Sequence, residues 1–522
     1  MAQENMAREG VAREGGRRRG ERRQGGGGIR QLPFQTLRNP LKPIEILAPE
    51  QVEAIHDASL DLLERVGLEV LHGESIDILA RAGADVDRGT GKVRLDRGLV
   101  MEAVSHAPPV FTIHARNPAH DLEFGANHLV FTATGGPAFA SDTERGRRAG
   151  NYADMCDYIR LVQSLNVLHQ DGGTAVEPTD LPPETRHLDF YEATLRLTDK
   201  GWHSWGMGTA CVLDGIELTR LAYGVTAEEM LQRPVMMTII NSNSPLRLDV
   251  PMGQGLVEMA RHGQALVLTP FTLAGAMSPV TIGGALMQQN AEALAMVALA
   301  QLVRKGAPVV YGGFTSNVDM RTGSPAFGTP EYTKAALATG QLIRRYRLPY
   351  RSSNVNASNC VDVQSTYESA MSLWGTIMGG VNLLAHAAGW LEGGLTASFE
   401  KLIVDCEMLQ LMRETFRPIA TDPASLGLEA IAEVGPGGHF FGVGHTLERF
   451  ESAFYTPMLS DWRNFETWSE GGARTGTERA HRIWKELLAA YREPALDPAR
   501  REAMAAYVAR RKREIASGKA LP

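Results

Sequence analysis

The chain has 522 residues, of which 43% are hydrophobic and 22% charged, with a formal net charge of −7 at pH 7. This points to one large globular catalytic body with terminal additions, and the acidic balance argues against a nucleic-acid surface. Four scattered cysteines (Cys156, Cys211, Cys360, Cys406) with no CxxC pair exclude a disulfide framework and a cysteine zinc ribbon, and suit a reducing cytoplasm. No run approaches about 18 apolar residues, so no membrane span is expected. The Arg-rich N-terminus also lacks the apolar core of a secretory signal.

In chain order, residues 1–40 open with Arg, Gly and Glu and include Gly25 to Gly28. Such a stretch buries too little to offset its ordering entropy and is expected to be a disordered, solvated tail; Glu4, Glu9, Glu14 and Glu21 weaken an RNA-binding reading. Residues 41–125 turn helical. In PEQVEAIHDASLDLLERVG, Val52, Ile55, Ala58, Leu62 and Leu63 share a face and Gly67 ends the helix, giving an N-terminal α/β extension. Residues 126–420 hold eight short apolar runs: HLVFTATGG (from His128), LNVLHQDGG (Leu165), WHSWGMG (Trp202), PVMMTIINSNS (Pro234), ALVLTPF (Ala265), APVVYGGF (Ala307), LPYRSSN (Leu348) and VNLLAHAAG (Val381). Helical-period segments separate them, and Asn151 is a plausible N-cap for the first. Eight strands alternating with helices predict an α/β fold of the TIM (β/α)8 barrel type, with its chemistry where the strands end. Residues 421–522 read as a loop-rich strap followed by charged C-terminal helices.

The chain has no GxxxxGK[ST], no GxGxxG opening a helix after a strand, and no lysine at a strand end. P-loop, dinucleotide and Schiff-base chemistry are therefore unsupported. His439 and His445 lack metal-pair spacing, so no metal site is expected. Aromatic residues crowd the strand ends instead: Phe131, Phe139, Trp202, Trp205, Phe271, Tyr311, Phe314, Tyr350 and Trp390. Any one ring reads as core filling, but the group suits a cage for a quaternary ammonium, a diffuse cation that donates no hydrogen bond. The polar candidates are Asp171, Asn241, Asn243, Thr315, Asn317, Glu331, Asn354, Asn356, Asp362 and His386. Capping alone would account for Glu331, whereas His386 ends the last apolar run and needs a partner if buried.

Several segments together resemble the trimethylamine methyltransferase family: IHDASLDLLERVGLEV, ARNPAHDLEFG into FTATGGPAF, VVYGGFTSNVDMRTGSPAFGTPEY, DVQSTYESAMSLWG, HAAGWLEGGLTASFEK and GGHFFGVGHTLERF. The resemblance runs from about Ile46 to Pro494. It implies a TIM barrel that moves a methyl group from an amine to the Co(I) corrinoid of a small partner protein, with no tightly bound cofactor of its own and a symmetric homo-oligomeric assembly. Pyrrolysine members carry that residue in the barrel; the corresponding stretch here, RSSNVNASN, holds ordinary residues with Asn356 or a neighbour at the position. The resemblance to non-pyrrolysine relatives implies a quaternary amine such as glycine betaine, with His386 beside the substrate. The expected catalytic residues are His386, Asn356 and Glu331, and the expected substrate-binding residues are Phe131, Phe139, Trp202, Trp205, Asn241, Tyr311, Phe314, Tyr350 and Trp390. The competing readings are a binding protein that keeps the amine cage without methyl transfer, and a barrel lyase or hydrolase using Asp171 and Glu331.

Overall fold

The computed structural model describes residues 29–518. Its central sheet has seven parallel strands: β1 (His128–Ala133), β2 (His203–Ser204), β3 (Met237–Ile240), β4 (Ala265–Leu268), β5 (Val309–Gly312), β6 (Tyr350–Ser353) and β7 (Leu383–Ala388). Each pairs with its successor from β2 to β7, and β7 returns to pair with β1, so the sheet curls. Eight helices alternate with these runs: α1 (Tyr152–Ser164), α2 (Arg186–Leu197), α3 (Thr209–Tyr223), α4 (Val250–Arg261), α5 (Ile282–Val303), α6 (Pro330–Tyr346), α7 (Val363–Met378) and α8 (Phe399–Thr415). Parallel neighbours require such crossovers. Asn151 caps α1, its side chain accepting the Asp154 amide.

The eighth expected strand, LNVLHQDGG, departs from the sequence reading. Only Gln170 contributes, through single parallel bridges to Thr132 and Gly201. Two side chains occupy the groups a ladder would use. The buried Lys200 ammonium takes the carbonyls of Val162, Leu165 and Leu168 at 2.8–2.9 Å. The His169 ring accepts the Phe131 amide at 2.8 Å.

Strand parity sorts the core. Val130, Met237, Ala265, Val267, Val310 and Leu383 form an inner cluster with Ile113, Leu122 and Phe124. The alternate positions, among them Leu129, Phe131, Leu266, Leu268, Tyr311, Tyr350 and Leu384, belong to the layer shared with the helices. Ile113, Leu122 and Phe124 lie on an antiparallel hairpin, Val110–Ile113 with Leu122–Gly125, that plugs the end of the curled sheet where the strands begin. The other end stays open to loops.

The N-terminal extension packs helices Pro49–Arg65, Gly73–Arg81 and Arg97–Ser105 over α5. That cover explains why α5 is buried on nearly all sides and lacks a polar face. The expected tail is shorter than residues 1–40. Leu37 and Arg38 pair antiparallel with β1, Asn39 is buried, and Phe34 packs on His120 and His169. Residues 1–28 lie outside the described residues. After α8, the strap expected from residue 421 forms short helices with little buried surface, and Glu407 anchors its return by accepting the Met458 and Leu459 amides.

Candidate active site

A cavity of about 520 Å³ opens where the strands end. Its floor is polar and its wall aromatic. Gly135 and Gly172 bring two strand-end loops into backbone contact there, since a Cβ on Gly135 would collide with the Gly172 carbonyl. Trp205, Phe271, Phe314 and Trp390 supply the rings, and Asn241, Thr269, Glu177, His203, Arg351 and His386 the polar groups. Phe314 meets Phe271 at 5.0 Å and stands edge-on to Trp390 at 6.2 Å between centroids. Glu177 is neutralised by Arg186 at 2.8 Å.

Parity explains how His386 and Arg351 arrive. Tyr350 faces the helices, so Arg351 next to it faces the interior. On β7 the register with β1 shifts between Leu384 and Ala388, and His386 holds a left-handed φ of 51°. A bulge with a strained residue re-aims the side chain, here into the cavity, where the ring stacks on Trp390 at 5.3 Å and 11°. His386 Nδ1 lies 3.3 Å from the Gly135 amide and Nε2 lies 3.2 Å from Arg351 Nη2. A neutral ring accepts at only one of these.

The electrostatics are unusual. Arg351 is 2% exposed, and its Nε and Nη1 have no hydrogen-bond partner among the described residues. No carboxylate forms an ion pair with it among those residues; Phe314 lies under it at 5.2 Å. Burial pushes its pKa down to about 10, so it stays cationic at neutral pH. Burial and Arg351 push His203 down to about 3, and the same causes, with His203, push His386 well below its ordinary value. Asp171, buried just beneath, is pushed well above the carboxylate range by desolvation, which the Gly173 and His203 amides only partly offset. The site therefore contains one uncompensated cation among groups held neutral.

These neutral histidines carry a stability consequence. The unfolded chain protonates its histidines near pH 6.5, whereas folded His169 and His203 resist until about 3. Their folded pKa values lie below the unfolded ones, so the folded state loses stability as pH falls below 6.5. The loss is about 1.4 kcal/mol per histidine per pH unit. A Tm that declines steadily from pH 7 to pH 5, less steeply in His203→Asn, is the expected result. A Tm with no decline over that range would contradict the neutral assignment.

Of the sequence-based candidates, the cavity gathers His386, Asn241, Trp205, Phe314 and Trp390, together with Phe271. It does not gather the others. Phe131, Trp202, Tyr311 and Tyr350 point into the helix layer, where Trp202 packs on Tyr191, Tyr311 bonds Asn290 and Tyr350 donates to the Ala336 carbonyl. Phe139 lies 3.6 Å beneath the Arg147 guanidinium. Glu331 occupies the first turn of α6, behind the Thr329 cap. Asn356 is buried behind the wall, donating to the Trp390 carbonyl at 2.7 Å. Arg351 and His203 were missed. Both follow an outward-facing aromatic, Tyr350 and Trp202, so parity alone would have turned them inward. Among the described residues no three His, Cys, Asp or Glu side chains cluster as a metal site, and no helix is long and apolar enough to cross a membrane.

The family model described as trimethylamine methyltransferase (MTTB) matches residues 13–516. The glycine betaine methyltransferase of Desulfitobacterium hafniense (strain Y51) is 34% identical over 477 residues, covering 91% of this chain and 98% of that protein. The trimethylamine methyltransferase MttB of Desulfitobacterium hafniense (strain DSM 10664 / DCB-2) is 26% identical, covering 85% and 89%. A solved hydroxylamine complex of MtmB aligns over 85% of this chain and 92% of that chain with TM-score 0.46 and 10% identity, too loose a likeness to build on. With a family model spanning nearly the whole chain and a relative at 34% identity along its length, this protein belongs to the trimethylamine methyltransferase family.

Proposed function

We propose that this chain transfers a methyl group from a carboxylated quaternary amine, a betaine, to the Co(I) corrinoid of a partner protein. The observation that carries the substrate is Arg351: a buried cation without a counter-charge among the described residues, lining the same cavity as a ring cluster. A purely cationic amine would meet an uncompensated like charge there. A zwitterion resolves the conflict, because its carboxylate neutralises the guanidinium and its ammonium lies against ring faces. The glycine betaine methyltransferase relative supports this reading.

The bound corrinoid supplies the cobalt nucleophile. The cavity is sized for a small amine rather than a corrin ring, and its open end is where an external methyl acceptor would meet the substrate. This chain's residues bind, orient and desolvate. Arg351 fixes one end of the substrate; Trp205, Phe271, Phe314 and Trp390 exclude water around the methyl groups; His386, held neutral, stacks on Trp390 without adding a second charge. A quaternary ammonium leaves as a neutral tertiary amine, so no general acid is required, in keeping with Glu331 lying away from the cavity. On the same reading the Gln170 bridges complete a (β/α)8 barrel, and a reduced cobalt places the reaction in the cytoplasm, where four free cysteines also persist.

The test is a panel of glycine betaine, proline betaine, carnitine, choline and trimethylamine incubated with the protein and cob(I)alamin. The Co(I) absorbance should convert to methyl-Co(III) with carboxylated members and not with choline or trimethylamine. Tight binding of betaines with no methylated cobalamin would instead favour an amine-binding protein, and turnover without corrinoid a lyase or hydrolase.

A further inference from the structure

The cavity holds one carboxylate that the proposed chemistry leaves idle. Glu177 is the sole acidic side chain lining it among the described residues, since Asp171 lies beneath the floor. Its position is locked. The Glu177 amide donates to the Pro137 carbonyl at 2.9 Å, its carbonyl accepts the Thr179 amide at 2.9 Å, and a Cβ on Gly150 would stand 2.4 Å from that carbonyl oxygen. A fixed carboxylate in a wall of rings is the counter-charge that a bare cationic amine would need.

Arg186 stands in the way. Its Nη1 donates to Glu177 Oε1 at 2.8 Å, with side-chain exposures of 14% and 24%. Nη2 donates to the Leu181 carbonyl at 3.0 Å, which ties the guanidinium to the loop between the two residues. Local stability does not account for the placement. Arg186 is the first residue of α2, and a cation at a helix N-terminus meets the positive end of the dipole. A largely buried ion pair also contributes little net folding energy over apolar groups of the same size. What the pair does change is the charge of the cavity. Arg351 and Arg186 against Glu177 leave one positive charge, whereas Arg351 against Glu177 alone would leave none.

We infer that Arg186 determines substrate specificity: by occupying Glu177 it denies a counter-charge to amines that carry no carboxylate, and so restricts the site to betaines. The inference rests on the betaine reading above and extends it to a residue outside the cavity lining. Arg186 acts through Glu177 and touches no substrate. With the charge of Arg186 removed, the freed carboxylate would face a quaternary ammonium directly. Choline would then gain, while a zwitterion already matched to Arg351 would change little.

The test is calorimetric binding of glycine betaine and of choline to the full-length protein without corrinoid, with Tm as a check on folding. The proteins are wild type, Arg186→Gln, Arg186→Lys, Glu177→Gln and Glu177→Gln/Arg186→Gln, and the readout is the ratio of the two dissociation constants. Arg186→Gln should shift that ratio towards choline by at least about tenfold, the effect of one unit charge roughly 10 Å away at the dielectric of a protein surface. Arg186→Lys keeps the cation and should stay close to wild type. The double variant should return to near the wild-type ratio, since no carboxylate remains to be freed. Glu177→Gln strands Arg186 and should shift the ratio towards betaine, a result that serves even where Arg186→Gln does not fold. A ratio unmoved in both single Gln variants would overturn the inference. So would a shift towards choline that persists in the double variant, which would make Arg186 a loop staple only. A wild type that prefers choline would remove the betaine reading and this inference with it, whereas a betaine-selective wild type with unmoved variants removes the inference alone.

Discussion

Arg351→Met should raise KM for a carboxylated quaternary amine by about ten- to a hundredfold while raising, not lowering, the stability of the unliganded protein. The two signs follow from one fact: the guanidinium is buried without a counter-charge among the described residues. A hydrogen bond to a charged group contributes about 1.5–3 kcal/mol, so losing the contact between this guanidinium and the substrate carboxylate costs about that much binding. In the empty cavity the same group is a desolvated cation, and an apolar side chain of similar length relieves that cost. Arg351→Lys should not restore affinity, because a point charge on a flexible stem cannot offer the planar fork. Choline, lacking the carboxylate, should gain relative to betaines in Arg351→Met. Steady-state kinetics with cob(I)alamin and thermal melts of the same preparation decide it; an unchanged KM would remove Arg351 from the substrate.

How far the sequence reached depended on which period carried the information. The alternation of apolar runs with helical segments is a long-range pattern, and it located seven strands and the eight helices between and after them. The eighth run failed because side-chain contacts decided it: a lysine thirty or more residues away and a histidine ring took the backbone groups that periodicity assigned to a ladder. Within the site, ring counting found Trp205, Phe314 and Trp390 but also swept up Trp202, Tyr311 and Tyr350, which differ only in strand parity. His386 was legible as a polar residue ending an apolar strand, yet the bulge that aims it was not, since no residue type announces a left-handed histidine. Arg351 stood in plain view inside LPYRSSN. Its significance lies in what is missing around it, and an absent counter-charge is a fact of three dimensions.

The aromatic wall itself rests on a buried ion pair, and Lys401→Met should cost about 3–5 kcal/mol of folding stability, the usual result of stranding one member of such a pair. Lys401 and Asp405 are one turn apart on α8 with fully buried side chains. Asp405 accepts the Gly389 amide at 2.9 Å, just before Trp390. Lys401 donates to Ser369 at 2.8 Å, and Asn356 spans Ser369 and the Trp390 carbonyl at 3.3 and 2.7 Å. The pair thus fixes both ends of the peptide that presents Trp390 to His386. Asn356, expected from sequence to be catalytic, acts in this network as a positioning residue. With Lys401 gone, Asp405 is a lone buried carboxylate whose pKa burial already raises, so it is neutral below its raised folded value and must be charged above it. The deficit of Lys401→Met should therefore shrink as pH falls, and the double variant Lys401→Met/Asp405→Leu should recover most of it at pH 7, because an apolar pair strands no charge. Urea unfolding at two pH values measures all three proteins. Recovery of stability without recovery of kcat would show that the ion pair is kept for the placement of Trp390 rather than for the fold, whereas a single variant within about 1 kcal/mol of wild type would mean that the pair supports neither.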